Sequence, residues 1–208
     1  MKLDPFYLII DSADWIARLV PLGVKLVQLR IKDRPEIELC AEIRRAVAVC
    51  AKHKCQLVIN DHWRLAIEEG CDCVHLGQED LAIADLDAIR ASGLKLGLST
   101  HDERELKTAL AARHDCIALG PVYTTILKQM KWAPQGLPRL REWKSRIGDL
   151  PLVTIGGALA HGADSVAVVT DVMRHENPEL RTKQWIIATA QAGTRNLSKS
   201  SGNPGYRF

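Results

Sequence analysis

The chain has no Cys-x-x-Cys pair, no lopsided charge and no apolar run long enough to cross a bilayer. Each absence removes a class of function. Its six cysteines are Cys40, Cys50, Cys55, Cys71, Cys73 and Cys116. Without paired spacing they form no structural zinc site. Cytosolic thiols stay reduced, so these read as core or half-buried thiols rather than disulfides. Net charge is only +3 and is spread along the chain, so neither a nucleic acid nor a membrane surface is indicated as partner. No secretory pattern is visible and no segment approaches the roughly 20 apolar residues of a membrane span. A cytoplasmic protein is expected.

What the chain does have is a repeated motif: a short apolar strand running into polar residues and glycine. It occurs at Val27–Lys32, Leu57–Asp61, Val74–Asp80, Leu96–His101, Ile117–Pro121 and Val153–Gly157. Segments with helical spacing separate most of these. Strand-helix alternation requires a parallel sheet, because parallel neighbours need a crossover, usually helical. Polar residues recurring where strands end place a site on one face, as in a TIM (β/α)₈ barrel. The α/β barrel is therefore the predicted fold, and an enzyme the predicted class.

Periodicity supplies the rest of the map. Tyr7–Asp11 is the expected first strand, followed by a helix over Asp14–Leu22. Glu36–His53 is the clearest helix, with Ile37, Cys40, Ala41, Ile43, Ala46, Val47 and Cys50 at helical spacing and Pro35 at its start. Further helices are expected at Leu65–Glu69, Ala84–Ala91, Glu103–Arg113, Leu137–Arg146 and Lys183–Ala192, with Gly70 and Gly93 as stops. One domain is expected over residues 1–192. From Gly193 the composition turns to Gly, Ser, Asn, Lys and Pro, and a disordered tail is expected over 193–208.

The residues at the strand ends narrow the chemistry. Arg30, Lys32 and Lys128 can neutralise phosphate oxygens, and Asp61 and Asp80 are hard oxygen donors suited to Mg²⁺. Magnesium takes one or two carboxylates and completes its shell with water and substrate phosphates. Together they suggest a metal-bound diphosphate. Singly, each has a blander reading: Arg30 and Lys32 as a solvated face, Asp61 as the cap of a helix beginning near His62. Among the histidines, His75 is expected to point inward as a satisfied barrel residue, while His101 stands evenly between site and structure. Trp63 is expected to pack. Tyr123 and Trp132 fall in a long loop that suits a lid.

Seven ordered motifs resemble the thiamine-phosphate synthase family over most of residues 3–192. They are Gln28-Leu29-Arg30-Ile31-Lys32, Asn60-Asp61, Val74-His75-Leu76-Gly77-Gln78-Glu79-Asp80-Leu81, Gly97-Leu98-Ser99-Thr100-His101, Gly120-Pro121-Val122-Tyr123 with Thr125 and Lys128, Ile155-Gly156-Gly157, and Gly162 through Val169. The resemblance implies a transferase that joins a hydroxymethylpyrimidine diphosphate to a thiazole phosphate, releasing pyrophosphate through a dissociative step. It implies Mg²⁺ as cofactor, on Asp61 and Asp80. By the same resemblance Gln28, Arg30, Lys32, Asn60, Ser99 and Lys128 contact the pyrimidine diphosphate, and Arg30, Lys32, Ser99 and Lys128 carry the catalysis. Thr125, Gly157, Val169 and Thr170 match the contacts to the thiazole phosphate. The partners are thus two small molecules; a homo-oligomer is left open.

The chain departs from the family's pattern in three places. Leu127 precedes the lysine where many relatives have threonine, and Thr170 stands where serine is usual. More seriously, only Ala158-Leu159-Ala160-His161-Gly162-Ala163-Asp164 separates Gly157 from Ser165. A parallel crossover with its helix needs at least about 10–12 residues. The seventh helix is therefore expected to be missing or reduced, uncovering apolar surface on strands seven and eight. Two other functions are weighed: a thiazole tautomerase-like barrel enzyme, and an inactive homologue that binds thiamine precursors or a protein partner. Gly120-Pro121 and the retained Asp61 and Asp80 argue against the first.

Overall fold

A computed structural model describes residues 2–122, 134–155 and 162–200, the last eight of these as backbone only. Eight parallel strands close on themselves in the order β1 to β8. They are β1 (Phe6–Ile10), β2 (Leu26–Leu29), β3 (Gln56–Asn60), β4 (Cys73–Leu76), β5 (Lys95–Thr100), β6 (Cys116–Leu119), β7 (Leu152–Ile155) and β8 (Ser165–Val168). The predicted barrel is the observed one.

Strand alternation divides the core into two layers. On β1, Phe6, Leu8 and Ile10 face the helices, and Tyr7 and Ile9 face the barrel axis. The outer layer continues through Val27, Leu29, Leu57, Ile59, Leu96, Leu98, Ile117 and Leu119. The axis is filled by Leu26, Val58, Cys73, Cys116, Ala118, Val153 and Ala167 beside Tyr7 and Ile9. All six cysteines are free.

The helices are α1 (Ala13–Leu19), α2 (Glu36–His53), α3 (Trp63–Glu68), α4 (Gln78–Ile83), α5 (Leu86–Ala91), α6 (Glu103–Ala111), α7 (Gly136–Ile147), α8 (Thr170–Met173) and α9 (Pro178–Ser200). Local signals set their starts. Ser12, Asp85 and Asp102 accept backbone N–H bonds as N-caps of α1, α5 and α6. The α2 helix has the predicted bounds and buries Leu39, Ile43, Ala46 and Cys50 along one stripe.

Four expectations need correction. The first strand begins one residue early, at Phe6. The helix expected over Ala84–Ala91 is preceded by another, α4, which starts at Gln78 immediately after β4, and itself begins at Leu86. The last helix begins at Pro178, a residue well suited to a first turn, and continues to Ser200. It thus runs past the end expected at Ala192, and residues 201–208 of the expected tail lie outside the described residues.

The fourth correction concerns β7 and β8. They are joined by residues 156–164, of which 156–161 lie outside the described residues, and no helix is described among the remainder. The described apolar residues of the two strands are nevertheless not uncovered. Leu152, Thr154, Val166 and Val168, the outward positions of the two strands, are all buried. Leu152, Val166 and Val168 belong to the outer core cluster that also holds Leu140, Trp143 and Ile147 of α7 and Ala163. Asp164 secures the join: its Oδ2 accepts from Leu152 N–H and from Lys144 Nζ, each at 2.8 Å, and its N–H donates to Leu152 O.

Candidate active site

The upper end of the axis is polar where the rest is apolar. Gln28, Asn60, His75 and Ser99 all come from inward positions on β2 to β5, the first three buried and Ser99 half-buried. Register places them side by side, with Asn60 opposite His75 and His75 opposite Gly97. Below them, Gln28 Nε2 donates to Tyr7 Oη at 2.9 Å. Burial raises the Tyr7 phenol, so it remains a neutral hydroxyl that orients the amide.

His75 Nε2 lies 2.8 Å from Ser99 Oγ. The inward orientation expected for this ring is observed, and its partner is a side chain of the mouth. Burial, and secondarily the charge of Arg30, push the imidazole down to about 4, so it is neutral at pH 7. On the far side of Ser99, Gln78 Nε2 donates to the Ser99 carbonyl at 2.7 Å. Both Gln78 and Tyr7 escaped the sequence reading as site residues. Gln78 was visible within the Val74–Leu81 block, whereas Tyr7 carried no signal beyond its inward parity.

Asp61 follows β3 in a left-handed conformation, φ 66°. This is a conformation that Asp tolerates better than most residues. Its N–H donates to His75 O at 2.9 Å, which ties the turn to β4. The carboxylate does not cap α3: the N-cap is His62, and no side chain bonds to that helix end. Instead it faces Asp80, in the first turn of α4. Burial raises the Asp61 carboxyl, the charge and hydrogen bond of Asp80 raise it further, and Lys32 and Arg30 pull the other way. Gly77 keeps this corner tight, since a Cβ there would sit 3.3 Å from Asp80 Oδ2.

Two carboxylates that repel one another, with two cations beside them, form a donor set that a divalent cation would complete. Among the described residues no three His, Cys, Asp or Glu side chains converge on one point. A closed protein cage is therefore not built here. Mg²⁺ does not need one, because it usually combines one or two carboxylates with substrate phosphates. The residues present fit that ion.

The structure thus brings together Arg30, Lys32, Asp61 and Asp80 by their mutual charges, and His75 with Ser99 by direct contact. Gln28 and Asn60 lie on the same inner face. Val169 and Thr170 stand half-buried where β8 passes into α8, and Val169 O accepts from Val172 and Met173 N–H. Asp171 anchors that turn to α9 through Arg181 Nε at 2.7 Å and Trp185 Nε1 at 2.6 Å. Thr125, Lys128 and Gly157, together with the expected lid residues Tyr123 and Trp132, lie outside the described residues. His101 has a structural engagement: its ring Nδ1 and its backbone N–H both meet Glu105 Oε2 at 2.8 Å. Trp63 packs against the outer core, as expected.

Comparison with known proteins gives concordant results. A family described as thiamine monophosphate synthase matches residues 6–172. A thiamine-phosphate synthase of Rhizobium etli is 68% identical over 198 residues, covering 91% of this chain and 97% of the relative. That of Escherichia coli K12 is 47% identical over 193 residues, covering 89% and 88%. Among solved structures, a thiamine phosphate pyrophosphorylase from Pyrococcus furiosus superposes with a TM-score of 0.79 at 23% identity, covering 90% of this chain and 96% of the other. A native KDPGal structure gives 0.68 at 17%, covering 95% and 100%. The last two speak for the fold alone.

Proposed function

Because the chain belongs to the thiamine monophosphate synthase family, we propose that it is a transferase that makes thiamine phosphate. Its substrates would be 4-amino-2-methyl-5-hydroxymethylpyrimidine diphosphate and 4-methyl-5-(2-hydroxyethyl)thiazole phosphate, with pyrophosphate as second product. The observation that carries this reading is the Asp61–Asp80 pair flanked by Arg30 and Lys32 at the polar end of the barrel. A diphosphate is the ligand class that such a corner suits.

Bond breaking leads. The methylene C–O bond of the pyrimidine diphosphate cleaves with its electron pair leaving on pyrophosphate, and the cation left on the methylene is stabilised by the aminopyrimidine. The thiazole nitrogen then donates its lone pair to that carbon. No side chain has to gain or lose a proton, which suits a site holding a neutral His75. The work required is charge stabilisation and alignment. Arg30 and Lys32 meet the charge that grows on the leaving oxygens. Gln28, held by Tyr7, and Ser99, held by Gln78 through its carbonyl, present fixed polar groups to the pyrimidine diphosphate, with Asn60 between them. Mg²⁺ on Asp61 and Asp80 would supply further neutralisation of the diphosphate when bound. Lys128 is assigned to the same diphosphate, and Thr125, Gly157, Val169 and Thr170 to the thiazole phosphate. No helix among the described residues is long and apolar enough to cross a membrane, and cytoplasmic residence is part of the proposal.

The test is thiamine phosphate formation by the purified chain, given both substrates, with Mg²⁺ and with excess chelator. Metal-dependent product is expected. A folded chain that binds both substrates yet forms no product would overturn the assignment and leave a precursor-binding homologue.

A further inference from the structure

We propose that His75 is a positioning residue for this reaction, holding the Ser99 hydroxyl in one orientation towards the pyrimidine diphosphate. The inference rests on the proposed reaction and on Ser99 as a contact to that substrate. A serine hydroxyl is a rotor with one donor and two acceptor sites, and nothing intrinsic to it selects a direction. Here both halves of Ser99 are fixed. Gln78 Nε2 grips its carbonyl at 2.7 Å, and His75 Nε2 stands 2.8 Å from its Oγ. With one side of the hydroxyl taken by the imidazole, the remaining valences are aimed rather than free.

Space on the neighbouring strand has been cleared for this contact. Gly97 lies beside His75 across the β4–β5 ladder. A Cβ on Gly97 would stand 2.7 Å from His75 Nδ1 and 2.9 Å from Cys116 Sγ, closer than any real Cβ contact. Glycine within a strand costs stability because it packs nothing and loses more chain entropy on folding. The ring occupies the room that this glycine leaves. A histidine needed only to satisfy itself could turn to a backbone carbonyl; this one meets a hydroxyl at the mouth.

Steady-state kinetics with each substrate varied in turn, on His75→Leu, His75→Gln, Ser99→Ala and the double variant His75→Leu/Ser99→Ala, test the proposal. Direct titration of the pyrimidine diphosphate onto each protein supplies a readout independent of turnover. His75→Leu is expected to lower kcat/KM for the pyrimidine diphosphate on the order of tenfold, the scale of one lost hydrogen bond. The KM for the thiazole phosphate should stay unchanged. Glutamine carries a nitrogen at nearly the reach of Nε2, so His75→Gln should recover most of the loss. In the Ser99→Ala background, removing His75 should cost nothing further, because its effect passes through the hydroxyl. Additive losses, failure of the glutamine variant to recover while folded, or an equal change in thiazole phosphate KM would each overturn the proposal. Should His75→Leu fail to fold, Gly97→Ala displaces the ring without deleting it and must give the same loss, again absent in the Ser99→Ala background. A wild-type chain without turnover defeats the functional reading instead; the titrations then decide on His75 by the same non-additivity.

Discussion

Between β2 and β3 the chain returns through residues 30–55 and carries α2, whereas between β7 and β8 it returns through residues 156–164. Both returns deliver a parallel strand in register: Leu26 to Leu29 pair with Gln56 to Ile59 in the first case, and Val153 to Ile155 pair with Ser165 to Ala167 in the second. The difference lies in what covers the strands. An entire helical stripe of Leu39, Ile43, Ala46 and Cys50 serves the second crossover. At the seventh, no helix is found among the described residues; the outward apolar residues of the two strands join the same outer cluster as Leu140, Trp143 and Ile147, and one carboxylate, Asp164, pins the strand start. Closure of the barrel is thus a property of the ladder, and it does not depend on crossovers of equal length. The chemistry is distributed in the same uneven way, since the described polar mouth belongs to β2 through β5.

Predictions follow that split, the largest on the chemical side. Asp61→Asn should lower kcat/KM roughly 10²–10³-fold, the scale of losing one preorganised charge stabiliser. The metal-free protein should keep or gain Tm in a thermal melt, because the raised Asp61 carboxyl shows that its ionised form is strained in the fold. Equal loss of stability and activity would make Asp61 a structural residue.

Acid sensitivity should also reside on that side. His75 titrates near 4 in the fold and near 6.5 unfolded, so the unfolded chain binds the extra proton between those values. Stability attached to His75 is therefore complete above about pH 6.5 and is lost as pH falls towards 4, by about 2–3 kcal/mol at pH 4.5. Denaturant unfolding at pH 7 and pH 4.5 should show a shallower acid loss for His75→Gln than for wild type.

Smaller effects separate the two crossovers. Asp164→Ala removes the acceptor for Leu152 N–H and the partner of Lys144, and should cost about 1–2 kcal/mol. Arg44→Ala removes an exposed guanidinium of α2 from its pair with Glu69, just past the end of α3, and should change Tm little. Equal effects in the two would erase the distinction drawn above. Of opposite sign, Thr154→Val should raise stability by about 1 kcal/mol, because among the described residues the buried Oγ1 on the outer face of β7 finds no partner.

Particular residues show how far the sequence could be read. The α2 bounds were legible because Pro35 and an unbroken apolar stripe mark them locally. By contrast, α4 was hidden, since Gln78-Glu79-Asp80 follow β4 directly and six residues carry no clear period. The polar strand ends announced one face with Arg30, Lys32, Asp61 and Asp80, and the family resemblance added Gln28, Asn60 and Ser99 to it. That Asp61 confronts Asp80, or that His75 meets Ser99 across 24 residues of chain, depends on the β3–β4–β5 register. No local pattern encodes it. The burial of β7 and β8 was misjudged for a similar reason: their outward residues join a core cluster built from elements far apart in the chain, α7 among them.

Gly97 has a consequence for sequence drift. Its Cα separates an imidazole from a thiol, with no room for a methyl group between them. A side chain at position 97 is therefore inherited only together with a smaller residue at 75, at 116, or at both. Across relatives these three positions should vary as a set, and a lineage that gives up His75 should be the one in which position 97 is released from glycine.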